Sequence, residues 1–121
     1  MNWTDALIVS VILVAFLVYR RSGLISIKDA REHLKAGAVV IDVRTAGEFV
    51  AGHLPIAVNL PLSEIETNLD RRVTDRNQVL LLHCQSGTRS SAAKTKLIKL
   101  GCPNVFNLGS YARAERIVAG K

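Results

Sequence analysis

Hydrophobic and polar positions divide the chain into one long apolar segment and a longer part in which short apolar runs alternate with amphipathic ones. The apolar segment runs from Ala6 to Tyr19 without a charged residue, and Ser10 is its one clearly polar position. A segment that is apolar on all sides is typical of a helix in lipid. We therefore divide the chain into residues 1–23, a membrane anchor with a short linker, and residues 24–121, a folded domain.

The apolar segment predicts a single-pass transmembrane helix. With Trp3 as an interfacial residue it would extend roughly 25 Å, near the lower limit for a hydrocarbon core. The basic residues follow the apolar run and no small-x-small cleavage site is present, which argues against a cleaved signal peptide. The positive-inside rule places the N-terminus outside and the domain in the cytoplasm, at a bacterial inner membrane. The residues that orient the helix in this way are Arg20, Arg21, Lys28 and Arg31.

Within residues 24–121, strand-like and helix-like patterns alternate. Continuous apolar runs predict buried strands at 38–43, 57–60, 78–83 and 104–108. Amphipathic patterns predict helices at 28–36, 45–51, 63–69, 89–100 and 110–118. Ser63 and Glu66 have the spacing of a capping box, and residues 25–27 form a short strand or a lead-in. The alternation predicts an α/β fold with a mostly parallel central sheet flanked by helices.

A cysteine stands where the third predicted strand meets the next helix. Cys84 is followed by a small-residue loop and then by Arg89, at which the helix is expected to begin. Unpaired N–H groups at a helix start, and the fixed charge of Arg89, should lower the pKa of the thiol and favour the thiolate. Gly87 allows the loop to close tightly. We expect a reactive Cys84 rather than an ordinary buried cysteine.

Other polar residues suggest structural roles. Asp42, Arg44 and Glu48 are interpreted as an ion-pair network that pins the loop after the first long strand, with an acid–base cluster as the alternative. His83 should point to the sheet face opposite Cys84 and is a poor candidate for its base. Cys102 is read as a turn residue, or less readily as a resolving thiol. The cysteines and histidines lack metal-ligand spacing, and no metal or cofactor is expected.

Composition narrows the range of partners. The 121 residues carry a formal net charge of +6, spread without a dense basic tract or interleaved aromatics. Nucleic-acid binding is therefore not expected, whereas a lipid bilayer with an anionic leaflet and anionic substrates suit the charge. Two cysteines are too few for a disulfide framework in a small oxidised domain.

Two motifs give the chain a resemblance to a known family. The part from about Ile25 to Val118 resembles a single-domain rhodanese, a sulfurtransferase with a three-layer fold. The first motif comprises Asp42, Val43, Arg44, Glu48, Phe49, Gly52, His53, Leu54, Ala57, Asn59, Leu60 and Pro61. The second comprises Cys84, Gln85, Ser86, Gly87, Thr88, Arg89 and Ser90.

The resemblance implies that Cys84 takes a sulfane sulfur from thiosulfate or a persulfide and passes it to cyanide or a thiol. The loop amides would stabilise the persulfide, and Arg89 would contact the oxygens of the donor. The loop residues with this binding role are Gln85, Ser86, Gly87, Thr88 and Arg89. A membrane protein or a sulfur-trafficking protein is a further expected partner.

The chain departs from the family pattern after its last strand, where a Gly-Gly pair and a tryptophan are often found. Here Gly109 is followed by Ser110, and Ile56 stands where a small residue is usual.

The sequence leaves three alternative functions open. The first two are a sulfur carrier for a protein partner and a non-catalytic interaction module. A cysteine-dependent phosphatase is less consistent, because its loop holds five residues between cysteine and arginine and this loop holds four.

Overall fold

The computed structural model describes residues 2–21 and 23–120, and for residues 19–21 it describes the backbone alone. Ser22 of the predicted linker, Met1 and Lys121 lie outside the described residues. The elements in chain order are α1 (Trp3–Arg21), α2 (Ile27–Lys35), β1 (Val39–Asp42), α3 (Ala46–Ala51), β2 (Ala57–Asn59), a 3₁₀ turn (Leu62–Glu64), α4 (Ile65–Arg72), β3 (Leu80–His83), α5 (Thr88–Lys99), β4 (Val105–Gly109) and α6 (Tyr111–Ala119).

The four strands form one parallel sheet in the order β2-β1-β3-β4. In the central register Asp42 lies beside Asn59 on one side and beside His83 on the other. A β-bulge between Leu82 and His83 then brings His83 opposite Gly109 of the edge strand. The predicted α/β fold with a parallel sheet is confirmed. The carboxyl ends of the strands meet at one edge, where ligands bind in open parallel sheets.

Helices cover both faces of the sheet because side chains along each strand alternate between them. Ile41, Leu80 and Leu82 pack on one face with residues of α4 and α5. Val40 and Leu81 pack on the other face with residues of α2 and α6. The sheet is therefore the middle of three layers. Because β3 is buried on both faces, its sequence is continuously apolar until His83.

Two helix starts differ from the prediction. The capping box expected at Ser63 and Glu66 is absent, because a 3₁₀ turn begins directly after Pro61 and takes in Ser63 before α4 starts. A capping box is present instead at Thr45 and Glu48, at the start of α3. The predicted strand or lead-in at 25–27 is a lead-in, since Ser26 caps α2 and Ile27 is already helical.

Helix α1 bears on the predicted transmembrane segment. No helix within residues 2–21 and 23–120 is both long enough and apolar enough to cross a membrane. The expected single-pass transmembrane helix is therefore not supported, and the side chains of Arg20 and Arg21, two of the residues used to orient it, lie outside the described residues.

Candidate active site

Cys84 lies at the carboxyl end of β3, between the sheet and the start of α5. The cysteine is fully buried, and its backbone amide donates a hydrogen bond to the carbonyl of Gly109 at 3.2 Å. The chain then turns through Gly87, whose φ of 99° lies in the left-handed region that favours glycine. Thr88 begins α5 directly after this turn. The strand end, the glycine turn and the helix start therefore hold the sulfur inside a short loop.

Hydrogen-bond donors surround the sulfur of Cys84. The amide of Gly87 donates to Sγ at 2.9 Å, and the hydroxyl of Ser90 donates to Sγ at 3.6 Å. Burial acts to raise the pKa of this thiol, but hydrogen bonds from the Ser90 hydroxyl and from the amides of Ser90, Gly87 and Ser86 outweigh it and lower the pKa below the ordinary value. These donors suit a thiolate and any anion that forms at the same sulfur.

Residues of β4 and α6 hold the cysteine loop in place through hydrogen bonds to its carbonyl groups. The amide of Tyr111 donates to the carbonyl of Gln85 at 3.2 Å, and the side-chain amide of Asn107 donates to the carbonyl of Gly87 at 3.4 Å. Asn107 is itself held, because its Oδ1 accepts from the amide of Gly109 at 2.8 Å. Asn107 was not among the site residues predicted from the sequence. Its position as a polar residue within an otherwise apolar edge strand is the signal that could have identified it.

Arg89 is paired with Glu48 rather than directed at the sulfur. Its two terminal nitrogens donate to Oε1 and Oε2 of Glu48 at 2.6 and 3.0 Å. The hydrogen bond with Arg89 is the main reason that the pKa of Glu48 is lowered to about 2, and the amide of Thr45 adds to it. Glu48 therefore joins α3 to α5 through an ion pair with Arg89, a residue outside the predicted network of Asp42, Arg44 and Glu48.

Asp42 and Arg44 form a buried pair beside this bridge. The Nε and Nη2 atoms of Arg44 donate to the carboxylate of Asp42 at 2.7–3.0 Å, and Nη2 also donates to the carbonyl of Gly52. The guanidinium lies 4.8 Å from the ring centre of Tyr111. Asn59 donates to the carbonyls of Asp42 and Arg44 at 3.0 Å. This pair orders the end of β1 next to the cysteine loop.

His83 lies on the sheet face opposite Cys84, next to the edge of Tyr111. Its Nδ1 is 3.1 Å from the carbonyl oxygen of Cys84, and since a carbonyl can only accept, Nδ1 carries the proton. Nε2 is buried, has no hydrogen-bond partner and lies 3.7 Å from Oδ2 of Asp42. Burial lowers the pKa of His83, although the hydrogen bond to Cys84 acts in the opposite direction. His83 holds the backbone of Cys84 and does not face its sulfur.

Two cavities flank the cysteine loop on either side of the Arg89–Glu48 bridge. The larger has a volume of about 370 Å³ and is lined by Val43, Thr45, Pro61, Leu62, Ser63, Arg89 and Lys96. The smaller has a volume of about 280 Å³ and is lined by Arg44, Glu48, Ala51, Gly52, Gln85 and Tyr111. Gln85, Ser86 and Thr88 are exposed at the rim, whereas Ser90 is buried behind the sulfur. The larger cavity reaches this region at Arg89, and the smaller one reaches it at Gln85.

Cys102 occupies a different environment. It is a free thiol, fully buried among apolar residues at the end of α5. Burial raises its pKa, with a smaller opposing effect from Arg76. A thiol with a raised pKa is a poor nucleophile near neutral pH. The pKa values of the two cysteines are therefore shifted in opposite directions, downward for Cys84 and upward for Cys102.

Comparisons with known proteins agree with this geometry. The family model for the rhodanese-like domain matches residues 26–113. The chain is 34% identical over 110 residues to the Bacillus subtilis protein named Uncharacterized protein YqhL, covering 84% of this chain and 86% of that protein. It is 33% identical over 69 residues to Thiosulfate sulfurtransferase PspE of Escherichia coli, covering 57% of this chain and 66% of that protein.

A solved structure agrees as well. The human single-domain sulfurtransferase TSTD1 superposes with a TM-score of 0.68 at 28% identity. The superposition covers 78% of this chain and 96% of that chain. The likeness therefore extends over nearly the whole of that single-domain protein.

Proposed function

The chain belongs to the rhodanese-like family, and we propose that it is a thiosulfate sulfurtransferase in which Cys84 carries the transferred sulfur as a persulfide. One observation carries the proposal. The amide of Gly87 donates to Sγ at 2.9 Å within a loop whose other donors also lower the pKa of the thiol. Such preorganised donors stabilise an anion without having to reorient during the reaction.

The proposed reaction has two displacements. In the first, the Cys84 thiolate attacks the outer sulfur of thiosulfate, the S–S bond of the donor breaks, and sulfite leaves with the bonding electron pair. Cys84 is left as a persulfide anion. In the second, cyanide or a thiolate attacks the terminal sulfur, and the Cys84 thiolate is released with formation of thiocyanate or a new persulfide. Charge balances in each step, and the hydrogen bonds that lower the pKa of the thiol stabilise the attacking thiolate.

The other residues of the loop support these steps. The donors around Sγ lie close enough to serve the terminal sulfur of a persulfide as well, since the added S–S bond is only about 2 Å long. Arg89 lies in the first turn of α5, directly after the loop, and its guanidinium suits the oxygens of thiosulfate. It is half-exposed and paired with Glu48, so the donor must share or displace that partner. The buried pair of Asp42 and Arg44 supports the site without touching the sulfur.

A steady-state assay tests the proposal. With thiosulfate and cyanide, the wild-type chain should form thiocyanate, and Cys84→Ser should lower the rate to the uncatalysed level. Cys102→Ser is the matched control, because that thiol is buried and has a raised pKa. It should retain the activity. Equal rates for wild type and Cys84→Ser would contradict the proposal.

We also propose that α1 attaches the domain to a lipid bilayer by inserting apolar side chains without spanning it. Trp3, Ile12 and Phe16 are exposed, and among the described residues no helix of the folded domain has extensive contacts with α1. Removing these side chains from water would favour lipid binding. Two expectations stay predictions. One is that the domain lies at the cytoplasmic face of a bacterial inner membrane, and the other is that it exchanges sulfur with a protein partner there.

Vesicle flotation tests the attachment. The full chain should float with vesicles that contain anionic and zwitterionic phospholipids. Replacing two exposed residues of α1, in the double variant Ile12→Lys and Phe16→Lys, should leave the protein at the bottom of the gradient. Val50→Lys introduces one such charge at an exposed apolar position of α3 and should still float. A wild-type chain that stays at the bottom would overturn the attachment.

A further inference from the structure

Leu24 and Ile25, which connect α1 to the folded domain, lie against the end of β4. The amide of Ile25 donates to the carbonyl of Asn107 at 3.0 Å, and Leu24 forms a parallel β-bridge with the same residue. Ile25 is buried and Leu24 is partly buried. Arg113 of α6 fastens this contact, because its guanidinium donates to the carbonyls of Ile25 and Leu108. The segment after α1 is therefore fixed to the strand end that supports the cysteine loop.

Leu24 and Gly87 both contact Gly109. Gly109 has a φ of 93°, in the left-handed region, and a Cβ added there would lie 3.0 Å from Cδ2 of Leu24. The leucine side chain therefore occupies the space that a side chain at position 109 would need. A Cβ added to Gly87 would in turn lie 3.4 Å from Cα of Gly109. Since Gly87 donates to Sγ of Cys84, contacts run without a break from Leu24 to the reactive sulfur.

Hydrogen bonds follow the same route. The carbonyl of Gly109 accepts from the amide of Cys84. The side chain of Asn107 donates to the carbonyl of Gly87. In a close-packed interior, removing atoms leaves a space into which the neighbours shift only in part. Loss of the Leu24 side chain would open such a space beside Gly109 and release the backbone that sets the loop.

We propose that Leu24 is a positioning residue for sulfur transfer, which acts through Gly109 to hold the amide of Gly87 on the sulfur of Cys84. The inference rests on the proposed function and adds to it a residue that lies outside both sequence motifs. With this role for Leu24, the segment that leads out of α1 is part of the support of the active site as well as a connection.

The reactivity of the Cys84 thiol tests the inference without a sulfur donor. Full-length proteins that all carry Cys102→Ala are alkylated with iodoacetamide over a range of pH, and the rate follows the population of thiolate. Leu24→Ala should slow alkylation at pH 7 about three-fold, the effect of weakening one hydrogen bond to the thiolate. The midpoint of its pH–rate profile should move upward, and thiocyanate formation should slow in the same proportion. Leu24→Met keeps the bulk of the side chain and should reproduce the reference profile.

Leu34→Ala is the matched control for a loss of stability. Leu34 is also partly buried, and it packs in the apolar cluster between the sheet and helices α2 and α6. It lies in the last turn of α2, about 10 Å along the helix axis from Ile27, at the end away from Leu24. Both alanine variants should unfold at lower urea concentrations, whereas only Leu24→Ala should alter the alkylation profile.

Arg113→Gln provides a second test, which keeps every apolar side chain. The variant loses the donors to the carbonyls of Ile25 and Leu108, so its profile should move in the same direction as that of Leu24→Ala. Arg116→Gln changes an exposed arginine of the same helix and should leave the profile unchanged. If Leu24→Ala does not fold, the comparison of these two arginine variants tests the inference in its place.

Two results would overturn the inference. One is a set of superimposable profiles for the reference protein, Leu24→Ala and Arg113→Gln. The other is a shift in Leu34→Ala as large as that in Leu24→Ala. A reference protein that forms no thiocyanate would overturn the proposed function instead, and because alkylation needs no sulfur donor, the two failures are distinguishable.

Discussion

The amide of Gly87 points at the sulfur of Cys84 across 2.9 Å, from a residue with left-handed backbone geometry. The same residue therefore supplies the left-handed turn of the loop and a hydrogen bond that lowers the pKa of the Cys84 thiol. Without this donor and the other hydrogen bonds of the loop, burial alone would raise the pKa of the thiol. The fold of the loop and the reactivity of Cys84 should therefore change together.

Ser90→Ala tests the contribution of a side chain to the acidity of the thiol. The variant loses the hydroxyl that donates to Sγ, so the thiolate should be less populated. At pH 7 the alkylation of Cys84 by iodoacetamide should slow by about 3- to 10-fold, and the midpoint of the pH–rate profile should move upward. The Ser90→Ala protein and the reference protein with Ser90 would both carry Cys102→Ala, so that only the Cys84 thiol can be alkylated. Superimposable profiles would exclude Ser90 as a donor to the thiolate.

Gly87→Ala tests the backbone requirement. A Cβ at this position would impose the left-handed geometry on alanine and lie 3.4 Å from Cα of Gly109. We expect a loss of about 1–3 kcal/mol in the free energy of unfolding, measured with urea. Gly47→Ala is the control, because Gly47 lies in α3 with open space around it. It should be neutral or slightly stabilising, and similar losses in the two variants would refute the argument.

The ion pair of Glu48 and Arg89 predicts an acid-resistant carboxylate. Because the pKa of Glu48 is lowered to about 2, the stability from this pair is fully present above the unfolded value of 4.5 and is lost as the pH falls through about 2. Carbon-detected NMR of the Glu48 carboxyl should give a midpoint near 2. Arg89→Gln should shift the midpoint towards 4.5. A wild-type midpoint above 4 would mean that the pair does not form in solution.

His83 also predicts a loss of stability on acidification, and it begins at a higher pH than that of Glu48. Its pKa is lowered by burial, so below the ordinary value of 6.5 the unfolded chain binds a proton that the folded chain does not. The free energy of unfolding should therefore fall as the pH drops below about 6.5, by no more than about 1.4 kcal/mol per unit. The groups that face the ring are Asp42, Arg44, Tyr111 and Cys84.

His83→Asn is the informative variant for this effect. Its side-chain nitrogen can replace Nδ1 as the donor to the carbonyl of Cys84, and it has no group that titrates. Urea denaturation from pH 7.5 to 5.5 should show a smaller loss of stability in His83→Asn than in wild type. Parallel curves would mean that His83 accepts its proton in the folded state as easily as in the unfolded one.

Sequence patterns predicted the sheet well because burial on both faces leaves a simple signature. The run at 78–83 is apolar because β3 is central, and the predicted strands differ from the observed ones by one or two residues at their ends. The position of Cys84 followed from that strand. A helix start is harder to locate, since Ser63 has the right spacing for a cap but Pro61 begins a 3₁₀ turn ahead of it.

Long-range partners could not be read from the sequence. Glu48 and Arg89 are 41 positions apart, and the parallel pairing of β1 with β3 places the segments that follow these two strands at the same edge of the sheet. The prediction instead grouped Glu48 with Asp42 and Arg44, which lie near it in the sequence. For α1, the apolar run suggested a span, whereas no helix among the described residues is both long enough and apolar enough to cross a membrane.

The most direct test of the central claim is the intact mass of the full chain before and after incubation with thiosulfate. The account predicts a gain of one sulfur atom, which cyanide removes and which Cys84→Ser does not acquire. Cys102→Ser should gain and lose the sulfur as wild type does. A chain that gains no sulfur, or that gains it equally with Ser at position 84, would contradict the account.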